Sequence, residues 1–261
     1  MKPAAVFSRR RLGSILLLLL VGILLAVARM PALFAWQSFL ADAPALRGLT
    51  LTGLEGTVWA GRAAQLRYGR LEAGPLEWDL SVLPLLWGRT SAQLRLELHG
   101  GRVTGEVALS GDALELEDLR LRLPLSLFAP LIYGSPFVPD GELDGTVAEA
   151  LMAPGEACRL AGRLVWISPG VAGIENLGLG DIQLELEPEA QGTRGVLRDR
   201  GGALGIDGTL SIDAACRYRL DVRLTPRGEI SDPLRRMLGF AGRADAQGRY
   251  RLQRQGQLPV R

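Results

Sequence analysis

Gln93-Leu94-Arg95-Leu96-Glu97-Leu98 alternates polar and apolar residues without a break, and a period of two is the signature of a β-strand with one wet face. The pattern returns in Asp118-Leu119-Arg120-Leu121-Arg122-Leu123, in Asp181-Ile182-Gln183-Leu184-Glu185-Leu186-Glu187 and in Arg217-Tyr218-Arg219-Leu220-Asp221-Val222-Arg223-Leu224. In each, leucine and its kin occupy one face while Arg, Glu, Asp and Gln occupy the other, as in antiparallel sheets solvated on one side. His99-Gly100-Gly101-Arg102, Ser110-Gly111-Asp112 and Asp207-Gly208 put glycine where a tight turn calls for positive φ. The fold expected is mainly β, a repeated antiparallel sheet with a few short helices. Two Pro-bearing amphipathic pieces ending in glycine are the helix candidates, residues 125–134 and 231–239. In the second, Ser231 is an N-cap candidate ahead of Pro233, and Gly239 is the expected stop.

The first 35 residues have a different character. Seventeen consecutive uncharged residues, from Leu12 to Ala28, follow Arg9, Arg10 and Arg11. With its flank toward Trp36 the run matches the roughly 20 residues that cross a bilayer. Lys2 and the three arginines keep the short N-terminus cytoplasmic by the positive-inside rule, which puts the rest of the chain on the far side of the membrane. Ala26 and Ala28 also supply the small-x-small site of a cleaved signal peptide. Retention is the preferred reading, because Met30-Pro31-Ala32-Leu33-Phe34-Ala35-Trp36 continues apolar beyond a single Arg29, and Trp36 suits an interface.

Laid on itself, the remainder shows a weak repeat at an offset of 88 or 89 residues, as in Leu54-Glu55-Gly56-Thr57-Val58 against Leu143-Asp144-Gly145-Thr146-Val147 and Leu76-Glu77-Trp78 against Leu164-Val165-Trp166. A four-part organisation follows: a cytoplasmic N-terminus over residues 1–11, a transmembrane helix and flank over 12–35, and two periplasmic β units over 36–140 and 141–261.

Thirty basic residues against 28 acidic, interspersed along the chain, give no footprint for nucleic acid. Cys158 and Cys216 fall in the exported part, where an oxidising compartment favours a disulfide; two buried free thiols are the alternative. Two cysteines and the single His99 lack the ligand count of a metal site. No nucleophile elbow, phosphate loop or dinucleotide fingerprint is present. His99 reads as a strand-end surface residue, and Glu115, Glu117 and Asp118 as members of a solvated face. Neither an enzyme nor a cofactor is expected.

Trp59, Trp78, Trp87 and Trp166 lie in or beside strands, and core burial is the simpler reading of each. The most apolar exported stretch, Leu83-Pro84-Leu85-Leu86-Trp87-Gly88, and the segment Leu125-Ser126-Leu127-Phe128-Ala129-Pro130-Leu131-Ile132-Tyr133 are the candidates for partner docking, through Leu86, Trp87, Phe128 and Leu131.

A basic single-span N-terminus, then Leu54-Glu55-Gly56-Thr57-Val58-Trp59-Ala60-Gly61-Arg62-Ala63, then Leu76-Glu77-Trp78 and Leu83-Pro84-Leu85-Leu86-Trp87-Gly88, resembles the protein N family of the bacterial type II (general) secretion pathway. The resemblance spans nearly the whole chain. It implies a single-pass inner-membrane protein whose periplasmic part is a non-catalytic scaffold for export across the outer membrane. The partners it implies are other secretion components, the outer-membrane secretin or an inner-membrane platform protein. Gly-turn and L-x-W strands are also similar to those of AsmA-like envelope proteins, which gives the alternative of a lipid held in an apolar β groove.

Overall fold

The computed structural model describes residues 9–40, 48–69, 71–85, 87–111, 113–127, 138–153, 156–171 and 178–258. Helix α1 (Arg9–Ala28) leads through a break at Arg29 and Met30 to the short helix α2 (Ala32–Ala35) and a π-helical turn (Trp36–Leu40). The break falls ahead of Pro31, since the residue before a proline is pushed out of the helical region. The helix thus ends at Ala28, where the uncharged run of the sequence ends, and the flank toward residue 35 is a separate short helix. Among the described residues no helix is long and apolar enough to cross a membrane.

The strands are β1 (Leu49–Gly56), β2 (Ala60–Tyr68), β3 (Leu71–Ala73), β4 (Leu76–Ser81), β5 (Arg89–Leu98), β6 (Gly101–Ser110), β7 (Ala113–Pro124), β8 (Pro139–Met152), β9 (Arg159–Val171), β10 (Ile182–Glu189), β11 (Gly192–Asp199), β12 (Leu204–Asp213), β13 (Arg217–Pro226) and β14 (Tyr250–Gln257). All belong to one antiparallel sheet in which each strand pairs with its neighbour in sequence; β3 and β4 share the same edge of β2 on either side of Gly74 and Pro75. The short helix α3 (Val82–Leu85) follows β4, and α4 (Asp232–Ala241) separates β13 from β14.

Register turns the alternation seen in sequence into rows that cross the sheet. One runs through Leu54, Ala63, Leu76, Leu96, Val103, Leu121, Gly145, Leu164, Leu184, Leu197, Gly208, Val222 and Leu252, one residue from each strand of the path. None of these residues is exposed. The adjoining row on the opposite face runs Glu55, Arg62, Glu77, Arg95, Thr104, Arg120, Thr146, Arg163, Glu185, Val196, Thr209, Asp221 and Gln253, polar except at Val196. Ion pairs link neighbours along the polar face: Arg62 to Glu55 at 2.7 Å, Arg95 to Glu77 at 3.0 Å, and Arg251 to Asp221. Such exposed pairs contribute at most about 1 kcal/mol each. Their weight lies in register, because a slip of one residue would turn every leucine to water.

A single sheet with one apolar face must cover that face itself unless a second layer is supplied. At β10 to β14 the layer is α4, whose buried Leu234 and Leu238 pack with Leu204, Ile206 and Val222. Elsewhere glycines on the apolar face let large side chains of neighbouring strands lie flat on the backbone. A Cβ at Gly61 would come within 2.5 Å of Trp78 Cζ2, one at Gly145 would overlap Leu164 Cδ2, and one at Gly195 would sit 2.9 Å from Leu210 Cβ.

Bulges keep the rows in phase. In β7 the doublet Glu117-Asp118 breaks the alternation; Asp118 takes φ +50° and the register with β6 shifts between Thr104 and Glu106. The extra residue keeps Leu114 and Leu116 on the same face as Leu119 and Leu121. Two expectations fail here. Asp207-Gly208 is mid-strand in β12, where Gly208 serves close packing against Val222 and not a turn. Helix α4 starts as expected, with Ser231 Oγ accepting from Leu234 N, but passes Gly239 and ends at Gly242, which supplies φ +131°. Of residues 125–134, the first three form a 3₁₀ turn and the rest lie outside the described residues.

Replacing Gly195 with valine should lower the urea midpoint by an amount equivalent to about 1 to 3 kcal/mol through overpacking. Gly170→Ala, where the nearest atom to a new Cβ is 3.6 Å away, should leave the midpoint unchanged within error.

Candidate interaction surface

The Gly56-Thr57-Val58-Trp59-Ala60-Gly61 block is the joint between α1 and the sheet. Trp59 Nε1 donates to the Val27 carbonyl at 2.9 Å, in the last turn of α1, and Val58 N donates to Met30 O at 3.0 Å. Helix C-termini leave carbonyls without intrahelical partners, and here an indole supplies one. Thr57 bridges Pro31, and Trp78 Nε1 donates to Val58 O at 3.0 Å, so β4 is tied to the same turn. Trp166 repeats the arrangement in the second half of the sheet, donating to Asp140 O at 2.9 Å. Trp59, Trp78 and Trp166 are thus partly buried structural residues. Trp87 is not: it is 78% exposed, in the turn after α3.

Of the docking candidates, Trp87 alone is described; Leu86, Phe128 and Leu131 lie outside the described residues. Val82 and Leu83 of α3 accompany Trp87 at the surface, at 56% and 71% exposure. The open hollows of the polar face include ones of about 740 and 850 Å³ lined by charged and polar residues: Glu55, Arg62, Glu77, Arg95 and Arg120 in the first, Glu189, Asp213, Arg217, Arg219 and Gln255 in the second. Sequence reasoning placed these side chains on a solvated face but not in a hollow, because twist is set by the pairing of all the strands together. His99 is exposed in the β5–β6 turn, and Arg89 contacts Glu115 and Glu117 at 2.6 and 2.8 Å. Among the described residues no group of three or more His, Cys, Asp or Glu is placed to hold a metal ion.

Cys158 and Cys216 are both buried free thiols, so the disulfide expected from the sequence is not present in the structure. They are nevertheless neighbours, packed with Ile212 and flanked by Leu160, Leu210, Tyr218 and Leu258. The approach requires the sheet to roll toward its apolar face. Strands β9 and β11, which would stand about 10 Å apart across β10 in a flat sheet, are tied directly through Thr193: its Oγ1 donates to Cys158 O at 2.9 Å and accepts from Leu160 N at 2.8 Å. Burial, a shared hydrogen bond with Cys216 and the nearby charges of Cys216 and Asp213 push the Cys158 thiol up to about 12. Asp199 is shifted the other way. Its burial is outweighed by Arg227 at 2.6 Å and by the Ile206 and Gly201 amides, which hold it below the usual carboxylate range and pin the glycine-rich loop after β11.

A family model described as type II secretion system (T2SS), protein N matches residues 47–253, a span that opens just before β1 and closes inside β14. The chain belongs to this family. A type II secretion system protein N of Vibrio cholerae serotype O1 is 30% identical over 264 residues, covering 96% of this chain and 100% of the relative. One of Aeromonas hydrophila is 28% identical over 215 residues, covering 80% and 84%. No solved structure matches the chain significantly. As a protein N family member the chain is a component of type II secretion, and the matched span is in effect the sheet.

The raised Cys158 pKa means that the folded, reduced chain should resist maleimide at pH 7.5 and take two labels once unfolded. Its folded thiol holds its proton more tightly than the unfolded one, so stability present below about pH 8.5 should decline as pH rises toward 12. Thermal unfolding of reduced protein over that range checks the sign.

Proposed function

We propose that the chain is a non-catalytic scaffold of the type II secretion apparatus, held in the inner membrane by residues 12–28 with the sheet in the periplasm. It acts by binding other secretion proteins, the outer-membrane secretin or an inner-membrane platform component, and assists export across the outer membrane without a cofactor. The observation that carries this reading is the coincidence of the family match with the sheet: the matched span opens just before β1 and closes inside β14. Residues 36–140 and 141–261 are read as a duplicated β unit whose copies join through β7 and β8 into one sheet. The charged hollows and the outer edges of β1 and β14, where the strand path ends, suit partners that bring complementary charge or an added strand.

The uninterrupted apolar row favours one other reading, an acyl chain held along that face. Photo-crosslinkers at Gln93, on the polar face, and at Val103, in the apolar row, separate the two in living cells. The scaffold reading expects secretion components at Gln93, together with reduced export of folded substrates when the gene is deleted. Phospholipid at Val103 with no secretion component at Gln93 would refute it.

In the periplasm the Cys158–Cys216 pair closes as a disulfide: two thiols give up two protons and two electrons to an oxidised dithiol oxidoreductase by exchange. The step precedes burial of Cys158, since its thiolate is suppressed once folded. The bond would close a loop of about 57 residues and add roughly 2 to 4 kcal/mol. Protein denatured with alkylating reagent and no reductant should take no label; two labels would show that the thiols persist.

A further inference from the structure

Exposed large apolar side chains beyond α1 are distributed unevenly between the two ends of the sheet. Leu33 in α2, Val82 and Leu83 in α3, Trp87 behind it and Leu109 at the close of β6 all lie at one end. Tyr68 and Val138 are at the other. Register fixes the first grouping: Leu80 N donates to Trp59 O, Ala60 pairs with Asp79, and Thr90, just after the Trp87 turn, pairs with Leu109. This is also the end that Trp59 ties to Val27. The Trp59 and Val58 bonds hold the last turn of α1 against this end of the sheet, so the medium around Val27 also meets the apolar end.

With residues 12–28 taken as the anchor, that medium is apolar. The described side chains of α1 include Leu17, Leu18, Leu19, Ile23, Leu25 and Val27, all at least 40% exposed with no protein over them among the described residues. We propose that the end of the sheet bearing Leu33, Val82, Leu83, Trp87 and Leu109 seats in the headgroup layer of the bilayer that holds α1. Trp87 stands there as an interfacial aromatic, with an apolar ring toward the acyl chains and a polar N–H toward water. Seated in this way, the sheet has a fixed tilt and height above the membrane instead of swinging from a tether. The proposal rests on the reading of residues 12–28 as an anchor.

Full-length protein reconstituted in phosphatidylcholine vesicles provides the test, by tryptophan quenching. The difference in emission between the parent chain and Trp87→Phe isolates the Trp87 component from the other tryptophans. Lipids brominated just below the headgroup should quench that component several-fold more than aqueous iodide does. Quenching by iodide alone, or by neither agent, would overturn the proposal, the second result meaning that protein covers the turn. Extraction of the same vesicles with alkaline carbonate separates the two readings. A chain that stays in the vesicles while Trp87 is quenched by iodide keeps the anchor and loses the seated rim, whereas a chain that washes off loses both.

Discussion

The structure depends on one constraint: a single antiparallel sheet has an apolar face and, among the described residues, no second layer over most of its width. Sandwiches meet this with a facing sheet and barrels by closure. Here the cover comes from within, with glycines opposite Trp78, Leu164 and Leu210 letting large side chains fold onto neighbouring backbone, and α4 finishing the job at β10 to β14. Close approach and curling go together. The same face that is thinned by glycine is the one toward which the sheet rolls at Cys158 and Cys216. The polar face then carries a mostly polar row in which ion pairs such as Arg62 to Glu55 and Arg95 to Glu77 link neighbouring strands, while burial of the opposite row sets the register.

How much of this was legible depends on the range of the interaction. Strand character was plain from the period of two, and even the β7 bulge had a written sign, the Glu117-Asp118 doublet that interrupts Leu-Glu-Leu. The failures share a cause. Gly208 and Gly239 were read by local chemistry as punctuation, whereas Gly208 answers to Val222 on the next strand and Gly239 is carried through by a helix whose apolar face is held in the core. Core burial was expected of all four tryptophans, but Trp59, Trp78 and Trp166 are only partly buried and Trp87 is exposed; the carbonyls reached by the first three indoles belong to distant segments that no spacing announces. The Cys158 and Cys216 encounter was reasoned from compartment. The structure supplies the proximity through Thr193, a residue without any sequence motif.

Family membership and structure bear on function at different depths. The first makes the chain part of type II secretion. The second says what kind of part the geometry suits: a broad charged face with open hollows, and an apolar end joined tightly to a helix.

The strand order has a bearing on how such a molecule comes into being. Every strand on the path pairs with the path strand made before it, and among the described residues pairings between strands far apart in sequence are absent. A chain that emerges from its N-terminus can therefore add each strand to a template already in place, without waiting for a distant segment to emerge. The loop-closure entropy that slows non-local β folds is met in small steps. Contacts that skip strands can form only later: Cys158 meets Cys216, and Val171 joins Leu204, Val222 and α4, once β13 and α4 have been made.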